Sequence, residues 1–135
     1  MMPLKEKVEI IEKIDWELGV IELRVDNILQ FHPYEGVTGV SLDQLKDMLV
    51  NLKEITDGIP RPYLSHNINM TEPLSTEAKV FVGKHCHEFA TAMAITEQHA
   101  ITRFIAHSIM YLYRPQIPMK LFKNKTLAYE WLKTQ

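Results

Sequence analysis

The reading of one stretch decides the fold: Ala92-Met93-Ala94-Ile95-Thr96, the amphipathic run from His99 to Tyr113, Ile117-Pro118-Met119-Lys120-Leu121-Phe122, and Ala128-Tyr129-Glu130-Trp131-Leu132. A short apolar pentad such as 92–96 suits a strand buried on both faces, as strands of parallel sheets are. The next run is expected to set Ile101, Phe104, Ile105, Ile109 and Leu112 on one side of a helix. Arg114-Pro115 ends that helix, and Pro115 and Pro118 stiffen the connection into a brief strand around Lys120–Phe122. Asn124 then opens a last helix expected to bury Leu127, Ala128, Trp131 and Leu132. Strand, helix, strand, helix is the cadence of an open α/β sheet with crossover helices.

The rest of the chain extends this pattern toward the N-terminus. Ser75 N-caps a second helix whose inner stripe is expected to be Ala78, Phe81, Val82, His85 or Cys86, and Phe89. Pro62 to Ile68 reads as the strand before it. Ser41 and Gln44 have the spacing of a capping box, Val40 and Leu45 that of a hydrophobic staple, and Leu42, Leu45, Met48, Leu49 and Leu52 line one face of the first helix. Asp57-Gly58 and Pro60 stop that helix. Upstream, Val8–Ile14, Val20–Val25 and Ile28–Phe31 read as strands with connections short enough to make them antiparallel. The expected fold class is α/β: one domain over residues 1–135, a mixed sheet with antiparallel strands first, then alternating helices and strands, and about four helices.

At 46% hydrophobic and 24% charged, the composition of these 135 residues argues for a globular chain and against disorder. A net charge of -2 recruits neither nucleic acid nor an anionic membrane. The charge is uneven, with 6 Lys/Arg against 12 Asp/Glu in residues 1–60 and 6 against 1 in residues 103–135. Solvated faces or electrostatic docking between copies would both produce this. Cys86 is the single cysteine, so neither an intrachain disulfide nor a zinc finger can form. No apolar run approaches a membrane span and the N-terminus does not resemble a signal peptide, so a cytoplasmic location is expected.

If the strands before the first three helices run parallel, their C-terminal ends share one edge, where open α/β sheets bind ligands. Three loops would meet there: Tyr34–Gly39, Asn67–Thr71 and Thr96–His99. Gly36 and Gly39 lack the lysine and the spacing of a phosphate-binding loop and read as turn glycines. Ser65-His66-Asn67 is too polar for a doubly buried strand, so it lies near a sheet edge or in a buried hydrogen-bonded network. His85-Cys86-His87 cannot chelate on a helix, because residues two apart point in nearly opposite directions. His99, Arg103 and His107 recur every four residues and could meet an oxyanion or simply face solvent. No spacing of serine, histidine, cysteine or carboxylates suggests a nucleophile or a general acid/base pair, so no catalytic residue, metal or cofactor is expected.

Leu74-Ser75-Thr76-Glu77-Ala78-Lys79, Ala92–Thr96, Arg103-Phe104-Ile105-Ala106, Arg114-Pro115 with Ile117-Pro118, and Phe122 ahead of Ala128–Leu132 carry a resemblance. Over roughly residues 8–133 the chain resembles STAS-like (SpoIIAA-like) domains related to bacterial anti-sigma-factor antagonists, and within them the uncharacterised small STAS/SEC14-type bacterial proteins. The resemblance implies a regulatory, non-enzymatic module that binds a protein partner or a small apolar or anionic ligand at the loop edge. The residues expected there are Asn67, Asn69, Thr71, Ser75, Thr96, His99 and Arg103. It also implies a second reading, a switch phosphorylated at Ser75, although Leu74 and Glu77 stand where the family's switch motif has Asp and Gly. A homodimer is a further expectation, since a small sheet offers an exposed edge strand.

Overall fold

The computed structural model describes residues 8–67 and 70–135. Its strands are β1 (Ile10–Asp15), β2 (Gly19–Arg24), β3 (Leu29–Pro33), β4 (Arg61–His66), β5 (Ala90–Thr96) and β6 (Met119–Phe122). Its helices are α1 (Leu42–Ile55), α2 (Thr76–His85), α3 (Ala100–Leu112) and α4 (Lys125–Leu132), with a 3-10 turn at Cys86–Glu88. The strands form one six-stranded sheet in chain order, β1-β2-β3-β4-β5-β6. The first two pairings are antiparallel and the remaining three parallel. The mixed sheet expected from the sequence is therefore present.

Handedness decides which face each helix covers. Three successive right-handed crossovers stepping the same way along a sheet put all three helices on one face. Residues of α1 and α3 accordingly join Ile21, Leu23, Leu29, Phe31, Tyr63 and Met93 in the larger core. The helix α4, after β6, instead packs under the opposite face of the sheet. There Ala128 and Leu132 close over Ile28, Leu64, Ala92 and Ala94 in a second, smaller core.

Local signals are obeyed at the helix ends. The Ser41/Gln44 capping box is formed in both directions, at 3.1 and 2.9 Å. Ser75 Oγ and Asn124 Oδ1 accept from Ala78 N and Leu127 N at 3.1 and 3.0 Å. Asp57 and Gly58 both take positive φ after α1, the left-handed exit that the glycine permits. A Cβ on Gly83 would lie 2.8 Å from Tyr113 Cβ, so a residue without a side chain lets α2 pack against the end of α3.

Three expectations are corrected. In α3 the buried residues are Thr102, Ala106 and Ile109, while Phe104 and Leu112 are 62% and 71% exposed. The Thr102 hydroxyl donates to Met70 O at 2.9 Å, which fixes the inner stripe about one position away from Phe104. In α4 Leu127 is 48% exposed, because the short side chain of Ala128 takes the close contact with the sheet. Finally, β4 lies between β3 and β5, so Ser65-His66-Asn67 is not near a sheet edge. Among the described residues no helix is long and apolar enough to cross a membrane.

Candidate functional site

The parallel strands β3, β4 and β5 end along one edge, and two of the three expected loops meet there. Thr71 N and Glu72 N both donate to Thr38 O, at 3.0 and 2.9 Å, and the Thr38 hydroxyl donates to the Glu72 carboxylate. The loop after β3 is thereby zipped to the loop after β4. Thr102 ties the second loop to the start of α3.

Beneath this zipped edge lie two adjoining cavities. The first, about 120 Å³, sits between α1 and α2 over the sheet, against Met48, Leu52, Phe81, Phe31 and Tyr63. The second, about 130 Å³, sits between α2 and α3, against Ile105, Ile109, Ile95 and Met119. Both are lined by Val40, Leu45, Ser65, Asn67, Met70, Val82 and Met93, so they form two lobes of one cleft. Apolar cavities of roughly 150 Å³ stay dry and accept a benzene-sized group. Side chains two apart on a strand share a face, so Tyr63, Ser65 and Asn67 form a polar line along an otherwise apolar floor. Asn67 Nδ2 donates to Ser65 Oγ at 2.8 Å. Burial pushes the Tyr63 phenol well above its ordinary range.

Besides Tyr63, the ionisable side chains of His85 and Cys86 border the first lobe. His85 Nδ1 pairs with the Glu88 carboxylate, which also takes Lys53 Nζ at 3.0 Å. The hydrogen bond to His85, then that to Lys53, holds the Glu88 carboxyl below the usual carboxylate range. Cys86 is buried and its thiol is pushed up to about 11, chiefly by desolvation, so it stays protonated at neutral pH.

The residues expected at the edge separate into three places. Asn67 lines the cleft, and Thr71 and Ser75 lie on the exposed side of its loop. Thr96 is fully buried and faces the opposite side of the sheet, where His66 Nδ1 lies 2.7 Å from its hydroxyl. His99 precedes α3 without a side-chain capping bond, and Arg103 turns toward Glu97, with Nη2 3.4 Å from Oε1. Glu97 is 3% exposed and also takes Lys123 at 3.5 Å. Asn69 lies outside the described residues.

Sequence reasoning missed the polar half of the α4 face. There Tyr129 OH donates to Gln30 Oε1 at 2.6 Å, Gln30 Nε2 donates to Glu22 Oε1 at 3.1 Å, and His32 Nδ1 lies 3.5 Å from the same Glu22 oxygen. The Arg24 guanidinium stacks 4.0 Å over the Tyr129 ring and pairs with Asp26 at 2.6 Å. The rings of His32 and His66 stand 5.2 Å apart. Burial, reinforced by Lys125 and Arg24, lowers His32 to about 4, and burial with His32 and Lys125 lowers His66 to about 4. The available signal was the alternation of Glu22, Arg24, Gln30 and His32 with Ile21, Leu23, Leu29 and Phe31, a period of two across neighbouring strands.

A comparison with curated protein sequences yields no match. Among solved structures the chain is similar to an uncharacterised protein of the DUF3478 family from Shewanella loihica PV-4, described as having a SpoIIAA-like fold. The identity is 18%, the TM-score 0.54, and 98% of each chain is covered, so the likeness concerns the fold. The fold is thus that of STAS-like domains, as the resemblance implied. Residues 21–135 match the family described as a domain of unknown function, DUF7793, and the chain belongs to that family.

Proposed function

We propose that this protein is a non-enzymatic STAS-like module that takes a small, mostly apolar ligand in the cleft between α1, α2 and α3. The observation that supports this reading is the two-lobed cavity, mostly apolar with a Ser65–Asn67 line along its floor, beneath loops joined at Thr38. Ligand pockets have this character: apolar walls for affinity and a few placed polar groups for orientation. Ser65 and Asn67 offer a hydroxyl and a carboxamide, which suit a ligand with one polar end. Methionine is well suited to such walls, since its flexible thioether adapts to different shapes.

Met70 and Met93 line both lobes, so their methyl groups can report occupancy. In a titration with octanol followed by methyl NMR, the Met70 and Met93 resonances should shift together and saturate, and Val82→Trp should abolish the response. Unmoved methyl groups at saturating octanol would refute the reading.

A second reading has its own observation. Ser75 is exposed, and its Oγ caps α2 by accepting from Ala78 N. A phosphate there would meet the free N–H groups and positive end of the helix dipole. Intact-mass measurement of protein from its native host should show one added phosphate that Ser75→Ala removes. Repeated absence of the adduct eliminates the switch and leaves the cleft unaffected.

A further inference from the structure

We propose that His32 and His66 form a site for a divalent transition-metal ion of the zinc, nickel or copper type, on the sheet face opposite the apolar cleft. The two residues are neighbours in register: β3 and β4 run parallel with Phe31 beside Ser65, so the next residues, His32 and His66, lie side by side on the α4 face. Their place is the C-terminal edge of the parallel strands.

The ring orientations follow from their partners. Glu22, beside His32 Nδ1, belongs to β2, on the outer flank of β3. Thr96, beside His66 Nδ1, belongs to β5, on the outer flank of β4. The two Nδ1 edges therefore face away from each other, and Nε2, on the other edge of each ring, lies toward the pair's midline. Metal-binding histidines characteristically give their second ring nitrogen to a carboxylate or another polar partner, which fixes the tautomer and aims the ligating nitrogen. A carboxylate at Nδ1 favours the His32 tautomer whose Nε2 carries a lone pair.

The spacing also fits. Two imidazoles bound at about 2.1 Å with a near-tetrahedral angle between them have ring centres about 5 Å apart, and these stand 5.2 Å apart. Imidazole ligands suit zinc, copper and nickel better than magnesium or calcium. Among the described residues no group of three His, Cys, Asp or Glu side chains is placed to hold a metal. Water or an anionic group would fill the remaining positions, one more than the single open position that a catalytic zinc site with three protein ligands keeps. Of the cations acting on the pair, Arg24 is paired with Asp26 and Lys125 is exposed, so water and Asp26 screen their opposition.

The test uses the full chain, freed of metal with a chelator and titrated with zinc while histidine side-chain nitrogen resonances are followed. His32 and His66 Nε2 should move together and saturate at one ion per chain, with His85, His87, His99 and His107 unmoved. His32→Gln and His66→Gln should each abolish that response. Thr96→Val, which removes only the outer partner, should weaken binding about 10-fold or more. The wild-type spectrum alone decides the matter if a variant fails to fold. No shift up to millimolar zinc, shifts confined to other histidines, or binding that survives His32→Gln overturns the proposal. So does a response of the two rings to inorganic phosphate without one to zinc, which would mark an anion site.

Discussion

The two faces of the sheet solve the same problem differently. On one, three crossover helices carry large apolar side chains and leave a two-lobed cleft between them. On the other, a single eight-residue helix sets Ala128 and Leu132 against Leu64, Ala92 and Ala94 without exposing any of them, with Phe122 and Trp131 packed alongside and a hydrogen-bonded polar row beside them. More helical cover has not produced tighter packing. Small residues let α4 seat closely, whereas Met and Phe across the crossovers keep the helices apart.

The sharpest way to break this comparison is to open the tight face. Leu64→Ala should cost about 2–5 kcal/mol, since a fully buried side chain enclosed by small neighbours leaves a cavity that cannot collapse. Urea denaturation measures it, and a loss below about 1 kcal/mol would mean the α4 face is looser than described.

Acid provides the next effect. An unfolded chain protonates its histidines near the ordinary value of about 6.5, but folded His32 and His66 resist protonation until about 4. The unfolded state therefore binds more protons between these limits, and stability rises with pH across that window. It should be complete above about pH 6.5 and fall by about 2 kcal/mol in total on descending to pH 4, a figure reduced for the partial exposure of both rings. Glu22, Lys125 and Arg24 face the pair, so salt should alter the size of the effect. Urea melts at pH 7 and pH 4.5 compare the two ends, and a His32→Gln/His66→Gln chain should lose most of the slope.

Ser75→Ala removes a cap and should cost about 1 kcal/mol while leaving octanol binding unchanged. The smallest effect should be a gain. Val82→Leu adds a methylene between the two lobes and should stabilise the empty protein by about 0.5–1 kcal/mol while weakening octanol binding. A destabilised Val82→Leu would show the cleft to be already full.

Much of the scaffold was legible in the sequence because it rests on local rules. Capping at Ser41, Ser75 and Asn124, the stop at Asp57-Gly58 and the apolar pentad at 92–96 each depend on residues within one turn or one strand. What was illegible depends on registers between strands. His32 and His66 are 34 positions apart and meet only because β3 and β4 pair in one particular alignment. Gln30 and Tyr129 are 99 positions apart. Thr96 reads as a loop-edge residue until the pleat turns it to the α4 side. Phe104 and Leu112 misled for a different reason: α3 has more apolar residues than one face can bury, and a hydrogen bond from Thr102 selects the stripe.

Strand order identical to chain order has a consequence for synthesis. Every new strand finds its partner already made, so the sheet can be laid down in sequence as the chain leaves the ribosome, with no strand waiting for a distant mate. The exception is the cover of the smaller core. Leu64, Ala92 and Ala94 stay bare until residues 125–132 emerge, so a nascent chain passes through a stage with one finished face and one adhesive one. Chaperone capture should peak for chains stalled just before α4 and disappear once Leu132 has cleared the exit tunnel.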